Sequence, residues 1–236
     1  MPVRVTPSAS TSREKVQSAQ HLLLWAGIIA PILFAIVFMI DGFLKPGYSA
    51  YSEAISYLEV GTNGWIQRAN FLLFGLLLLA FLVGYISRMR PILGPSWLYT
   101  ASTFLLLSDL GWIMACFFIP NTYLAPQFIW PWMLHQIAAS TVFIPFALAC
   151  IVLGAKFVRT HRWRAYGVYS LIFGLVSLIY PIGIVAYLIN PTAFGNVNSP
   201  NDGLINRIVL LLGPIAWYVI TAALALLRAD RAKGQV

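Results

Sequence analysis

Charge is the scarcest property of this sequence. Lys, Arg, Asp and Glu together make up 9% of its 236 residues, and Asp and Glu number only 7. A soluble domain carries about a quarter charged residues, so a water-soluble globular chain is excluded before any motif is read. Cysteine is nearly absent, with Cys116 and Cys150 alone. In the helical register described below their depths differ by roughly 20 Å, whereas a disulfide needs Cα atoms within about 7 Å. They read as unpaired packing residues. His21, His135 and His161 share no apolar stretch at bis-ligand spacing, which excludes that mode of haem binding. No Cys/His/Asp cluster has zinc spacing. There is no glycine-rich phosphate loop, nucleophile elbow or zinc-protease helix, and no lysine inside an apolar stretch for a retinal Schiff base. No metal and no cofactor is implied.

What is abundant is apolar surface. Hydrophobic residues reach 60% and the mean hydropathy is +0.80. Residues 22–44, 65–87, 97–119, 134–157, 167–189 and 206–228 each match the roughly 20 apolar residues that cross a bilayer. The expected fold is all-α, an integral membrane bundle of six transmembrane helices. The first run is longer than a signal-peptide core and lacks a small-residue cleavage site after it, so it reads as a retained span.

The net charge of +8 is a topology signal rather than a sign of nucleic acid, since no basic domain exists to carry that function. Arg4, Arg13, Lys15, Arg88, Arg90, Lys156, Arg159, Arg162, Arg164, Arg228, Arg231 and Lys233 fall on one side of the spans. Only Lys45, Arg68 and Arg207 fall on the other. The positive-inside rule places both termini in the cytoplasm. A bacterial plasma membrane, with its anionic lipid headgroups as partners, is the expected location. Residues 1–20 read as a disordered cytoplasmic tail, 21–228 as the six-helix domain and 229–236 as a second short tail.

The outer connections are patterned. In the first, Tyr51–Val60 is expected to form a short amphipathic helix with Tyr51, Ile55 and Leu58 on one face and Gly61 as the residue just past its end. It would lie on the outer surface of the bundle or membrane. The segment after Pro120, NTYLAPQFIWPWM, reads as an aromatic interfacial anchor. NPTAFGNVNSPNDG reads as a polar, turn-rich loop. Gly64-Trp65-Ile66-Gln67-Arg68 and Gly203-Leu204-Ile205-Asn206-Arg207 open the second and sixth spans with a similar pattern, a shared solution to a boundary rather than a repeat.

Asp109 is the sharpest chemical feature. It lies near the middle of the third span, where a carboxyl group costs several kcal/mol unless it is paired, hydrated or protonated. It is a candidate proton donor or relay; the alternative is hydrogen-bonded packing between helices. Pro31, Pro145, Pro181 and Pro214 fall at similar depth and would free the carbonyls of Gly27, Thr141, Ser177 and Leu210. With Asp109 these could make a polar midplane cavity, unless neighbouring helices repair the bonds. His135, opening the fourth span, is a candidate acid or base. Arg68, Arg207 and Glu53, with Asn70 one turn further in, could form a charged outer mouth that grips a phosphate or carboxylate, or snorkelling arginines could pair with loop acids. Trp112, one turn from Asp109, and Tyr180, beside Pro181, could line a hydrophobic ligand or hold a cation.

The stretch Ile55-Ser56-Tyr57-Leu58, then Gly61, then Gly64-Trp65-Ile66-Gln67-Arg68-Ala69-Asn70-Phe71 with Gly75, and the third-span end leading to Pro120 and His135, resembles a bacterial membrane family called domain of unknown function 998. The resemblance implies six spans and a patterned outer side, and no established reaction. Where that family tends to carry an acid after the proline, this chain has Asn121, so an acid paired with His135 is not implied.

Four functions fit this reading: binding of a hydrophobic or lipid-like small molecule in an outward-opening cavity, acid-initiated chemistry on an isoprenoid or lipid, proton-coupled transport, and a structural or regulatory subunit. The oligomeric state is open. The charge alternation makes one direct prediction. A fluorescent protein fused after Val236 folds and fluoresces, and alkaline phosphatase fused there is inactive. The reverse pattern would invert the topology.

Overall fold

The computed structural model describes residues 9–120, 129–189 and 201–233. They form α1 (Ala9–Leu44), α2 (Gly64–Leu93), α3 (Pro95–Phe117), α4 (Ile129–Phe157), α5 (Arg164–Ser177), α6 (Ile179–Ile189), α7 (Asp202–Leu210) and α8 (Ala216–Lys233), with short 3₁₀ helices at Ile55–Glu59 and His161–Trp163. Six helical stretches are long and apolar enough to cross a membrane: Lys15–Leu44, Gly64–Leu93, Pro95–Phe117, Met133–Phe157, His161–Gly183 and Asp202–Leu227. The fifth joins α5 to the start of α6. The sixth joins α7 to α8 through a π-helical turn, Leu211–Ile215.

Each span packs on the next, and the last returns to pack on the first, closing a ring. α1 turns Ile29, Ile32, Ile36, Met39, Ile40 and Phe43 outward. In water such a face would be an interaction or aggregation surface; against acyl chains it is the expected lining of a helix whose backbone bonds are satisfied internally. The interior is aromatic. Trp217 and Tyr218 of the sixth span are among the largest fully buried side chains. Trp217 meets Phe146 edge-on at 5.5 Å, and Tyr218 meets Phe81 at 5.7 Å. The sixth span therefore fills the space between the second and fourth.

Local sequence sets the breaks. Gly94, at φ 75°, joins α2 to α3 in one residue, and Pro95 starts α3 where a missing N–H costs nothing. Pro31 and Pro145 lie inside unbroken helices. Pro181 follows the break between α5 and α6. Pro214 sits in the π-turn, where Gly213 leaves helical geometry at φ −80°, ψ −106°, so this proline bends its span.

Three expectations change here. α1 begins at Ala9, inside the stretch expected to be a disordered tail. Glu14, Lys15, Gln17, Ala19 and Gln20 are good helix formers, and extending an existing helix avoids the cost of nucleation. α8 likewise runs to Lys233, past Arg228. The first-loop helix is a five-residue 3₁₀ turn rather than a longer α-helix. Ile55 and Leu58 share its buried face, since i and i+3 eclipse at three residues per turn. Tyr51 lies before the turn and is exposed. Gly61 has φ 88°, as its place past the helix end requires. Residues 121–128 of the aromatic segment, 190–200 of the polar loop, and 1–8 and 234–236 of the tails lie outside the described residues.

Close approach of α3 and α4 depends on Gly111. A Cβ there would lie 2.7 Å from the Val142 nitrogen and 2.8 Å from the Thr141 carbonyl carbon, both backbone atoms. Ser108, on the same face, donates to the Val142 carbonyl at 2.8 Å. Gly111→Ala is expected to separate the two helices and destabilise the bundle by about 1–3 kcal/mol, read as a lowered thermal midpoint in detergent. An unchanged midpoint would show that the helices tolerate the separation.

Candidate functional site

The first loop is fixed to the bundle by two cations acting on backbone oxygen. Lys45, just past α1, donates to the carbonyls of Tyr57, Leu58 and Val60 at 2.9, 3.0 and 2.5 Å. Those three bonds use all the donors of an ammonium. Burial lowers the Lys45 pKa from its ordinary value, against the pull of Asp41, Glu53 and Glu59. Arg207 in α7 donates to the carbonyls of Ala50, Glu53 and Gly203 at 2.7, 2.9 and 2.9 Å, and to the Tyr48 hydroxyl. Tyr48 donates onward to Glu53 O at 3.0 Å. Burial raises the Tyr48 phenol pKa, opposed chiefly by Arg207. Asn206, beside Arg207, accepts the Ile55 N–H at 3.2 Å.

Glycine permits this contact. A Cβ on Gly203 would lie 2.5 Å from Glu53 O and 2.6 Å from Ala50 O, and one on Gly64 would strike the Glu59 carbonyl. The two similar boundary pentapeptides thus have one physical reason. Both open a span across which the same loop lies, and a side chain would lift the loop off.

Beneath the loop is a chamber of about 40 Å³. Ile55 and Ser56 roof it; Phe71, Trp112, Phe143, Tyr180 and Leu210 contribute apolar walls; His135 and Asn206 supply polar ones. His135 is 6% exposed, and its Nδ1 lies 2.6 Å from Phe118 O. A carbonyl only accepts, so Nδ1 carries the hydrogen and Nε2 of the neutral ring is an acceptor. Trp112 is 3% exposed, and its Nε1–H has no hydrogen-bond partner among the described residues. Its ring is the hub of an aromatic layer, meeting Phe74 at 4.9 Å, Phe34 at 5.3 Å, Phe71 at 5.8 Å and Phe143 at 6.5 Å.

Asp109 is elsewhere. It is fully buried, its Oδ1 accepts the Tyr218 hydroxyl at 2.6 Å, and its Oδ2 has no partner among the described residues. It does not line the chamber, whereas Trp112, on the next turn of α3, does. Asn70 donates to Phe34 O and Gln67 Oε1 at 3.1 and 3.2 Å, and so links α2 to α1. Glu53 accepts the Ser49 N–H at 2.8 Å through its carboxylate. Arg68 lies near Glu59. The structure therefore brings Trp112, Tyr180 and His135 to one chamber. It places Arg68, Asn70, Glu53 and Arg207 in the frame around it. Ser56 and Asn206 were not foreseen from the sequence as lining residues. The signal available for Asn206 was the similarity of its pentapeptide to the one at Gly64.

Among the described residues, no group of three or more His, Cys, Asp or Glu side chains could hold a metal ion. Cys116 and Cys150 are unpaired.

Glu59, at the end of the 3₁₀ turn, is 2% exposed, and neither carboxyl oxygen has a hydrogen-bond partner among the described residues. Burial pushes its pKa up from 4.5 to about 9, against the pull of Arg68 and Lys45. Because the folded-state value is the higher one, ionisation of this group costs nothing below about pH 4.5, and that cost grows as pH rises toward 9, by about 1.4 kcal/mol per pH unit. Thermal unfolding in detergent should therefore show Glu59→Gln matching wild type near pH 4.5 and exceeding it at pH 8. Equal midpoints at both pH values would place an ionised Glu59 in the fold.

The family model described as "Protein of unknown function (DUF998)" matches residues 28–224, so the chain belongs to that family. No curated protein and no solved structure matches it.

Proposed function

We propose that this member of the DUF998 family binds a hydrophobic or lipid-like small molecule in the chamber beneath the first loop. It would do so from the outer face of a bacterial plasma membrane, with both termini in the cytoplasm. The carrying observation is the wall composition: aromatic and aliphatic side chains from five spans, with a few polar groups converging between them. That is the make-up of a small-molecule site. The chamber is small, so it takes the tip of a ligand rather than its whole length. The remainder lies along the lipid side of α6. This helix packs lightly on its neighbours and turns Ile179, Ile182 and Val185 outward, which gives a lateral route from the bilayer.

A second reading rests on Asp109. A buried carboxyl with one oxygen held by Tyr218 and the other unpartnered suits a proton relay in a small transporter. Acid-initiated chemistry on a ligand in the chamber is less well supported, because Asp109 does not line that space.

Two experiments decide between these readings. Ala139 lines the chamber, and Ala139→Phe fills it. Native mass spectrometry of the purified wild type is expected to show a co-purified lipid-like mass, and the folded Ala139→Phe variant to lose it. Retention by both would overturn the proposal. Asp109→Asn keeps an acceptor for Tyr218 and is expected to leave that retention within about twofold, since it removes the ability to titrate while keeping the size of the side chain. Loss of retention in folded Asp109→Asn, together with proton-driven uptake by the wild type in liposomes, would replace the proposal with the relay.

A further inference from the structure

We infer that the chamber selects an uncharged, hydroxyl-bearing tip, such as an alcohol or glycerol head, over a phosphate or carboxylate. The inference rests on the ligand-binding reading above and names the class of ligand.

The polar walls define what can enter. His135 Nε2 offers a lone pair, because Nδ1 is committed to Phe118 O. Trp112 Nε1–H is a buried donor with no partner among the described residues. Asn206 gives its oxygen to the Ile55 N–H, so what its amide has left to offer is a donor group. A hydroxyl answers two of these at once, donating to the imidazole and accepting from the indole. An ester oxygen accepts but cannot donate. A chamber of about 40 Å³ holds only a few water-sized centres, so it admits a single small polar tip.

Charge is excluded by what is missing from the lining. No lysine or arginine is among the lining residues. Lys45 and Arg207 direct their donors to carbonyls of the first loop, and Arg68 lies beside Glu59. An anion brought into this space loses its hydration and meets no cation, which is costly. No carboxylate lines the chamber either, so an ammonium head finds no counter-charge.

A head-group ladder on one chain tests this. Oleyl alcohol, monoolein, methyl oleate, oleate and oleoyl lysophosphatidate share an oleoyl-type chain and differ at the tip. Their dissociation constants would be measured on the full chain in nanodiscs by competition in native mass spectrometry. Oleyl alcohol and monoolein are expected to bind at least about tenfold tighter than the other three, the worth of one well-made hydrogen bond. Trp112→Phe, which keeps the ring and removes the donor, should weaken the alcohols and methyl oleate alike. His135→Phe should weaken only the alcohols and so erase their advantage over methyl oleate. Should the anions bind as well as the alcohols, the selectivity is wrong while the binding reading stands. Should none of the five bind, the binding reading itself falls. The wild-type ladder needs no variant, so a misfolded substitution leaves the test intact.

Discussion

A guanidinium bonded to main-chain oxygen organises the end of this molecule that carries the first loop. Arg207 reaches from α7 to Ala50 and Glu53 of the first loop, and to the Tyr48 hydroxyl. Lys45 does the same from the end of α1. A loop has no ladder of its own to satisfy its carbonyls, and at the edge of a bilayer water is only partly available. Charge-assisted bonds of this kind are about twice as strong as neutral ones. They convert an irregular twenty-residue connection into a fixed roof, and the chamber exists because the roof is fixed. Gly64 and Gly203 are small for the same reason. The roof rests directly on the first turns of two spans.

Below the roof, the interior is rich in rings. Trp112 and its four phenylalanine neighbours form an aromatic cluster, and Trp112 lines the chamber where Asp109, one turn away on α3, does not. Three pairs of buried polar side chains link the helices elsewhere in the bundle. Tyr218 meets Asp109, Trp217 donates to Ser170 at 3.1 Å, and Tyr166 meets Thr221 at 3.0 Å. Such pairs hold helices together where the hydrophobic effect gives no preference for protein over lipid. The two polar regions are thus physically distinct, one lining the chamber and the other within the bundle.

The spans were legible because a bilayer leaves no alternative to long apolar helices, and Gly61 was legible because its position past a short helix requires a positive φ. The ends were harder. Ala9–Gln20 is polar, yet it continues a helix already nucleated by the span. The site was legible only in pieces. Trp112, His135 and Tyr180 stood out one at a time, since each is an unusual residue at its depth. Nothing in their spacing states that three different helices bring them to one space. Arg68, Arg207 and Glu53 suggested a charged mouth. Which partner an arginine chooses depends on where a distant loop lies, and that is a non-local fact. Asn206 was hidden for the same reason, because its partner Ile55 is 151 residues away.

That separation has a consequence for how the protein is made. The first loop emerges early in synthesis with Lys45 to hold its second half, but the side chains that pin Ala50, Glu53 and Ile55 belong to the last span to enter the membrane. Until Asn206 and Arg207 arrive, Ala50 O and the Ile55 N–H lack these partners, and Glu53 O has the Tyr48 hydroxyl without Arg207. The early helices can pair in order as they insert, whereas the roof waits for the ring to close. Correct closure is therefore recorded in one place, and a chain stalled before its final helix leaves the first half of that loop unpinned.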